Sequence, residues 1–161
     1  MFRRAFVTLA TFTAVSSGAI VHNAAARAPG AVGIVRVRSA YSTDETIRRL
    51  KADIAAKGIR FFDEIDQADL AAKAGVKLPL RRSTLLVFGN PPLGTQFING
   101  RPEAGIDWPV RLLVQEDAQG NVTAAYTDFA WIARRHDVVD VAPFNTASGV
   151  IASITASIAA Q

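Results

Sequence analysis

Cysteine is missing from all 161 residues of this chain, and histidine occurs only at His22 and His136. Without cysteine there is no disulfide to staple the fold and no thiol to carry a lipid anchor, so packing alone must hold the domain together. Zinc, copper and haem centres draw on several His or Cys ligands, and Ser-His-Asp or Cys-His catalysis needs a histidine in the right place. With so few candidates, no metal and no cofactor are expected. The acids lack EF-hand spacing, and no Gly-Lys-Ser/Thr follows the glycines, so neither a calcium loop nor a nucleotide P-loop is present. Blocks of like charge are also lacking, and no aromatics interleave with basic pairs such as Arg81-Arg82 and Arg134-Arg135. That pattern gives no support for nucleic acid as a partner.

What is present begins with an address. Arg3 and Arg4 make a basic start, Ala5 to Val21 carry no charge, and Ala24-Ala25-Ala26 has the small-residue pattern of a signal-peptidase site. Residues 1–26 therefore read as a cleaved signal peptide, with Arg27 as the new first residue and a periplasmic or secreted destination. An uncleaved anchor is the alternative, but the segment's many Thr, Ser, Gly and Ala residues make its insertion weakly favourable. No stable membrane span is expected after cleavage. The twin arginines also resemble the signal of the folded-protein export route, and the residues leave the choice of route open. The remaining 16 basic and 14 acidic residues give a net charge of +2, and the length suits one domain.

The body of the chain alternates strands and helices. Residues 31–37 read as a first strand rich in β-branched residues. Ser42-Thr-Asp-Glu45 is a capping box in which the serine accepts from the backbone three residues on and the glutamate reaches back. Ile47, Leu50 and Ile54 follow at helical spacing, with acid-before-base pairs Asp44/Arg48, Glu45/Arg49 and Asp53/Lys57 on the outer face. Gly58 stops this helix, and residues 59–65 read as a second strand in which Phe62 falls on the polar face. Asp66 caps a short helix through Ala74, and Pro79 marks a break. Residues 84–88 are apolar on both faces, the pattern of a central strand covered on both sides. Val110, Leu112 and Val114 then pair across the turn at residues 117–121 with Val122, Ala124 and Tyr126 as a hairpin. Residues 138–161 carry charge only at Asp140. They form either a weak helix built on Ile151, Ile154 and Ile158 or a low-complexity tail.

In this order, Ser42-Thr-Asp-Glu-Thr46, Leu86-Val-Phe-Gly-Asn-Pro91 with Gly94-Thr95, Ile106-Asp-Trp-Pro109 and Ala133-Arg-Arg-His136 make the chain resemble the exported branch of the domain of unknown function 302 family over roughly residues 33–137. The resemblance implies a domain over residues 31–137 with an α+β fold. That fold is a two-layer sandwich with an antiparallel or mixed sheet of five strands and helices packed on one face. It also implies frequent pairing as a homodimer and no assigned reaction. Relatives often carry histidine after the aspartate that ends the second strand. Here Gln67 stands in its place.

The loop that leaves the third strand is the foremost candidate site. Gly89 and Gly94 permit close backbone approach, Pro91 and Pro92 stiffen the segment, and Asn90 and Thr95 offer polar groups. If Thr95 caps a helix from Gln96 to Asn99, the free N–H groups there suit a small anion or a carbonyl-bearing ligand. The competing view is that the loop only turns the chain. Asp107 is a candidate general base or ligand carboxylate if the fold brings it near Asn90, and otherwise caps a turn. Asp66 is a second candidate carboxylate, although an acid at a helix start needs no chemistry to explain it. His136 reads as a charged helix C-terminus.

These residues favour an exported small-ligand-binding or interaction domain, homodimeric, over an enzyme. The alternatives are a small metal-independent enzyme, with Asp66 or Asp107 as acid or base and Asn90 and Thr95 orienting substrate, and a structural partner of an envelope protein.

Overall fold

The computed structural model describes residues 33–77 and 80–160. The signal segment, the first two residues of the expected first strand and Pro79 lie outside the described residues. Five strands form one antiparallel sheet: β1 (Ile34–Arg38), β2 (Arg60–Asp66), β3 (Ser83–Gly89), β4 (Val110–Glu116) and β5 (Val122–Thr127), in the order β1-β5-β4-β3-β2. The helices are α1 (Thr43–Ala56), α2 (Gln67–Lys73), α3 (Pro91–Gly100), α4 (Phe129–Arg135) and α5 (Ala142–Ala156), with a 3-10 turn at Pro102–Asp107. This is an α+β fold with its helical layer on one face of the sheet.

The core follows from the alternation along the strands. Leu86, Leu112, Tyr126 and Val35 lie side by side across β3, β4, β5 and β1, and Thr84, Val114, Ala124 and Val37 form the next row. Onto these rows α1 lays Ile47, Leu50 and Ile54, all buried. Phe97 of α3 ties the helices to one another, stacking on Phe144 of α5 at 4.1 Å and tilting against Phe129 of α4 at 5.9 Å. Phe144, Ala147, Ile151, Ile154 and Ile158 belong to the same buried cluster. The uncharged last stretch is thus an integral helix of the domain, and the boundary drawn at 138 has no structural counterpart. The two ends of the fold meet: Ala40 N–H donates to the Ile158 carbonyl at 2.9 Å, and Ala160 N–H donates to that of Arg38 at 3.1 Å.

Several local expectations need correction. Ser42 caps α1, accepting from Glu45 N–H at 3.4 Å. Glu45 does not reach back, because Arg48 and Arg49 hold its carboxylate at 2.6–2.7 Å and lower its pKa to about 2. Asp44 pairs with Arg82 across the fold rather than with Arg48. β3 is second from the edge, and only its core face is fully covered: Leu85 and Val87, on the other face, are half-buried. The register of β2 slips between Phe61 and Asp63, so Phe62 is the extra residue of a bulge. The bulge turns Phe62 toward Trp108, edge to face at 6.0 Å, and leaves it 40% exposed.

Candidate functional site

β3 ends at Gly89, and α3 begins at once. Asn90 is its N-cap, with φ −103° and its Oδ1 accepting from Leu93 N–H at 3.2 Å. Pro91 and Pro92 take the first two helical positions, where a missing N–H is least harmful. This overturns the premise of the anion cradle. The prolines have no N–H, and those of Leu93 and Gly94 are used by Asn90. Thr95 does not cap a later helix but lies inside α3, its hydroxyl donating to the Pro91 and Pro92 carbonyls at 3.0 and 3.2 Å.

The two glycines serve a neighbour. A Cβ on Gly94 would sit 2.2 Å from Trp108 Cε2 and Nε1, and one on Gly89 would sit 2.9 Å from Nε1. The indole lies flat where side chains would otherwise be, so glycine at both positions is a packing requirement for Trp108.

Asp107 does not join Asn90. Its buried carboxylate accepts from His136 Nε2 at 2.7 Å and from Arg135 at 3.2 Å, with Arg111 at 3.5 Å. The aspartate ends the 3-10 turn, and the histidine caps the C-terminus of α4. The cluster clamps the segment carrying Trp108 onto α4. Buried carboxylates require partners of this kind. His136 is therefore a structural partner as well as a helix cap, and the link across 29 residues has no local signal in the sequence. The two stretches that hold the pair, Ile106-Asp-Trp-Pro109 and Ala133-Arg-Arg-His136, were visible only as separate motifs.

Asp66 is elsewhere. It pairs with Thr84, at the opposite end of β3 from Gly89, and caps α2 by accepting from Ala68 and Asp69 N–H at 3.0 Å. Gln67 accepts from the Ser83 hydroxyl at 2.8 Å. Of the candidate residues, Gly89, Asn90, Gly94 and Thr95 stand together, Asp107 adjoins them through Trp108 but is engaged, and Asp66 is remote. Among the described residues no three His, Asp or Glu side chains gather as a metal site.

Two neighbouring spaces open beside the cap of α3. A cleft of about 30 Å³ with an apolar lining lies among Phe88, Leu93, Phe97, Trp108, Phe129 and Ala147. Leu93, Ile59, Asn90 and Val150 border both this cleft and a wider groove of about 440 Å³ between α3 and α5, rimmed by Lys57, Asn145 and Ser153. Gly149 lines that groove, and nothing lies within 4 Å of where its Cβ would stand.

Comparison with known proteins agrees with this architecture. A crystal structure of an uncharacterised conserved protein DUF302 from Bacillus stearothermophilus superposes with a TM-score of 0.70, covering 80% of this chain and 99% of that one, at 16% identity. A fluoride-specific ion channel, FluC 1, of Brucella suis biovar 1 (strain 1330) is 38% identical over 106 residues, which are 66% of this chain and 41% of that protein. FluC 2 of Brucella melitensis biotype 1 matches at the same identity over 38% of its length. The chain thus spans about two fifths of these curated relatives. The model of the domain of unknown function DUF302 matches residues 35–160, from β1 through the whole of α5, and the chain belongs to that family.

Proposed function

We propose that this chain is an exported binding and interaction domain rather than an enzyme, that it pairs with a second copy of itself through the open face of its sheet, and that its helical layer offers a small-ligand site. One observation carries the pairing. Ile65, Leu85, Leu113 and Ala125 stand side by side across β2, β3, β4 and β5 on the face away from the core. All four are half-buried, and among the described residues no element is placed to cover them. α5 packs against α1, α3 and α4 on the other side, and α2 buries no residue. An apolar row of this width on a β-sheet calls for a second layer.

Charge at the two edges makes the face self-complementary. Arg36 and Asp63, on the open face of β1 and β2, have no ion-pair partner among the described residues. A two-fold axis along the strands, between β3 and β4, stacks Leu85 on the partner's Leu113 and carries Arg36 to the partner's Asp63 edge. Light scattering of the chain should report twice the protomer mass at micromolar concentration. Leu113→Glu should give monomers, Asp63→Arg should weaken pairing, and adding Arg36→Asp should restore it. A wild type that stays monomeric would overturn the pairing.

Support for an interaction role over a self-contained activity comes from two sources. Asp66, Asp107 and Asn90 do not converge, which removes the acid, base and orienting group from any one site. In the Brucella channels more than half of each protein lies outside the shared stretch, and no helix among the described residues is long and apolar enough to cross a membrane. The export reading rests on Arg3-Arg4, the uncharged segment and the alanine triplet.

A further inference from the structure

We infer that the groove between α3 and α5 binds a small carboxylate carried on an apolar body, the body on Ile59, Leu93 and Val150 and the head group at Asn90 and Lys57. This names the ligand class of the helical-layer site proposed above and rests on that reading. It is independent of the sheet pairing, because the groove lies in the opposite layer.

One lining residue carries no side chain. Helices in contact close their seam with side chains, but Gly149 presents none toward this space, and a Cβ there would meet nothing within 4 Å. The seam stays open as a groove of about 440 Å³ floored by Ile59, Leu93 and Val150. Leu93 also lines the apolar cleft beside Trp108. Such a floor gains free energy by covering apolar surface and makes no demand for polar groups on that part of the ligand.

The rim selects the head group. Asn90 holds its Oδ1 toward Leu93 N–H at 3.2 Å, which fixes the amide and leaves Nδ2 as a donor without a partner among the described residues. Lys57 is the one charged residue that lines the groove, and it brings a positive charge. Asp53 bonds it at 2.7 Å from outside the lining, and an ammonium has two further protons to donate. No carboxylate lines the groove to repel an anion. An amide N–H and an ammonium on the border of one apolar trough are donors that suit a carboxylate oxygen pair.

The test uses the full-length chain, Nile red as a general apolar probe, and sodium octanoate and 1-octanol as competitors of matched body. The wild type should bind Nile red saturably, with octanoate displacing it at a concentration at least tenfold below that needed for octanol. Gly149→Phe, whose Cβ meets nothing within 4 Å, should occupy the groove and abolish probe binding while circular dichroism and thermal midpoint stay native. Asn90→Asp keeps the cap, because its carboxylate accepts from Leu93 N–H. It should weaken octanoate about tenfold or more and leave Nile red and octanol unchanged. Absence of Nile red binding, or equal binding by Gly149→Phe, overturns the site itself. Probe binding that Gly149→Phe abolishes, but with octanoate no better than octanol or unaffected by Asn90→Asp, keeps the site and overturns the carboxylate assignment.

Discussion

Adding one methyl group at Gly94 and the same methyl group at Gly149 should move stability in opposite directions. Both residues are inside helices, α3 and α5, where alanine is favoured over glycine by about 1 kcal/mol. At Gly149 nothing meets the new atom, so Gly149→Ala should stabilise by up to that amount. At Gly94 the new Cβ lands 2.2 Å from Trp108 Cε2 and Nε1 and 2.7 Å from Cδ2, more than an ångström inside ordinary contact. The ring cannot retreat freely, since Gly89 backs it on one side and the neighbouring Asp107 is clamped by His136. Overpacking of this kind costs roughly 1–3 kcal/mol. Set against the helical gain, Gly94→Ala should therefore destabilise by up to about 2 kcal/mol. Urea unfolding followed by circular dichroism gives the numbers, and the emission of Trp108 should shift as its ring is pushed outward. The decisive measurement is a double-mutant cycle. In a Trp108→Ala background the clash is gone, so Gly94→Ala should become neutral or stabilising. If it costs the same with and without the indole, the glycine is not there for the ring and the reasoning fails.

Asp107→Ala should lose about 3–5 kcal/mol, because it leaves His136 and Arg135 facing an emptied buried site; a loss under about 1 kcal/mol in urea unfolding would mean that the clamp is ornamental. Asn90→Ala removes the α3 cap and should cost about 0.5–2 kcal/mol, whereas Asn90→Asp should be near neutral by the same assay. Glu45 titrates at about 2 instead of 4.5 chiefly because Arg48 hydrogen-bonds its carboxylate. Its contribution to α1 is therefore complete above pH 4.5 and fades as pH falls toward 2, and Glu45→Gln should flatten that part of the acid-unfolding curve. Mass spectrometry of protein recovered from the cell envelope should find a new N-terminus near Arg27; full-length chain in the cytosol alone would sink the export reading.

Local signals carried much of the fold. The spacing of Ile47, Leu50 and Ile54 behind Ser42 placed α1 and its buried face, and the alternation of Val110, Leu112, Val114 with Val122, Ala124, Tyr126 placed the β4–β5 hairpin. Lateral order was less legible: apolar residues on both faces of β3 suggested a covered central strand, but the sheet places β4 at its centre. A start of α3 at Thr95 was wrong because Pro91 and Pro92 begin the helix, and the glycine inside it, Gly94, answers to the indole fourteen positions later. Phe62 looked misplaced by strict alternation, which a bulge resets by one residue. Asp107 and His136 could not be joined from sequence because their meeting depends on how the 3-10 turn falls against α4.

The meeting of Arg38 and Ala40 with Ala160 and Ile158 has a consequence for synthesis. β1 is made before the residues that seal its outer end, which come with the helix that supplies Phe144, Ile151 and Ile154 to the core. Until those residues clear the exit tunnel, the sheet lacks part of its cover and the long-range contacts that close the fold cannot form. The nascent domain therefore remains incompletely packed until α5 and the residues that follow it have left the ribosome.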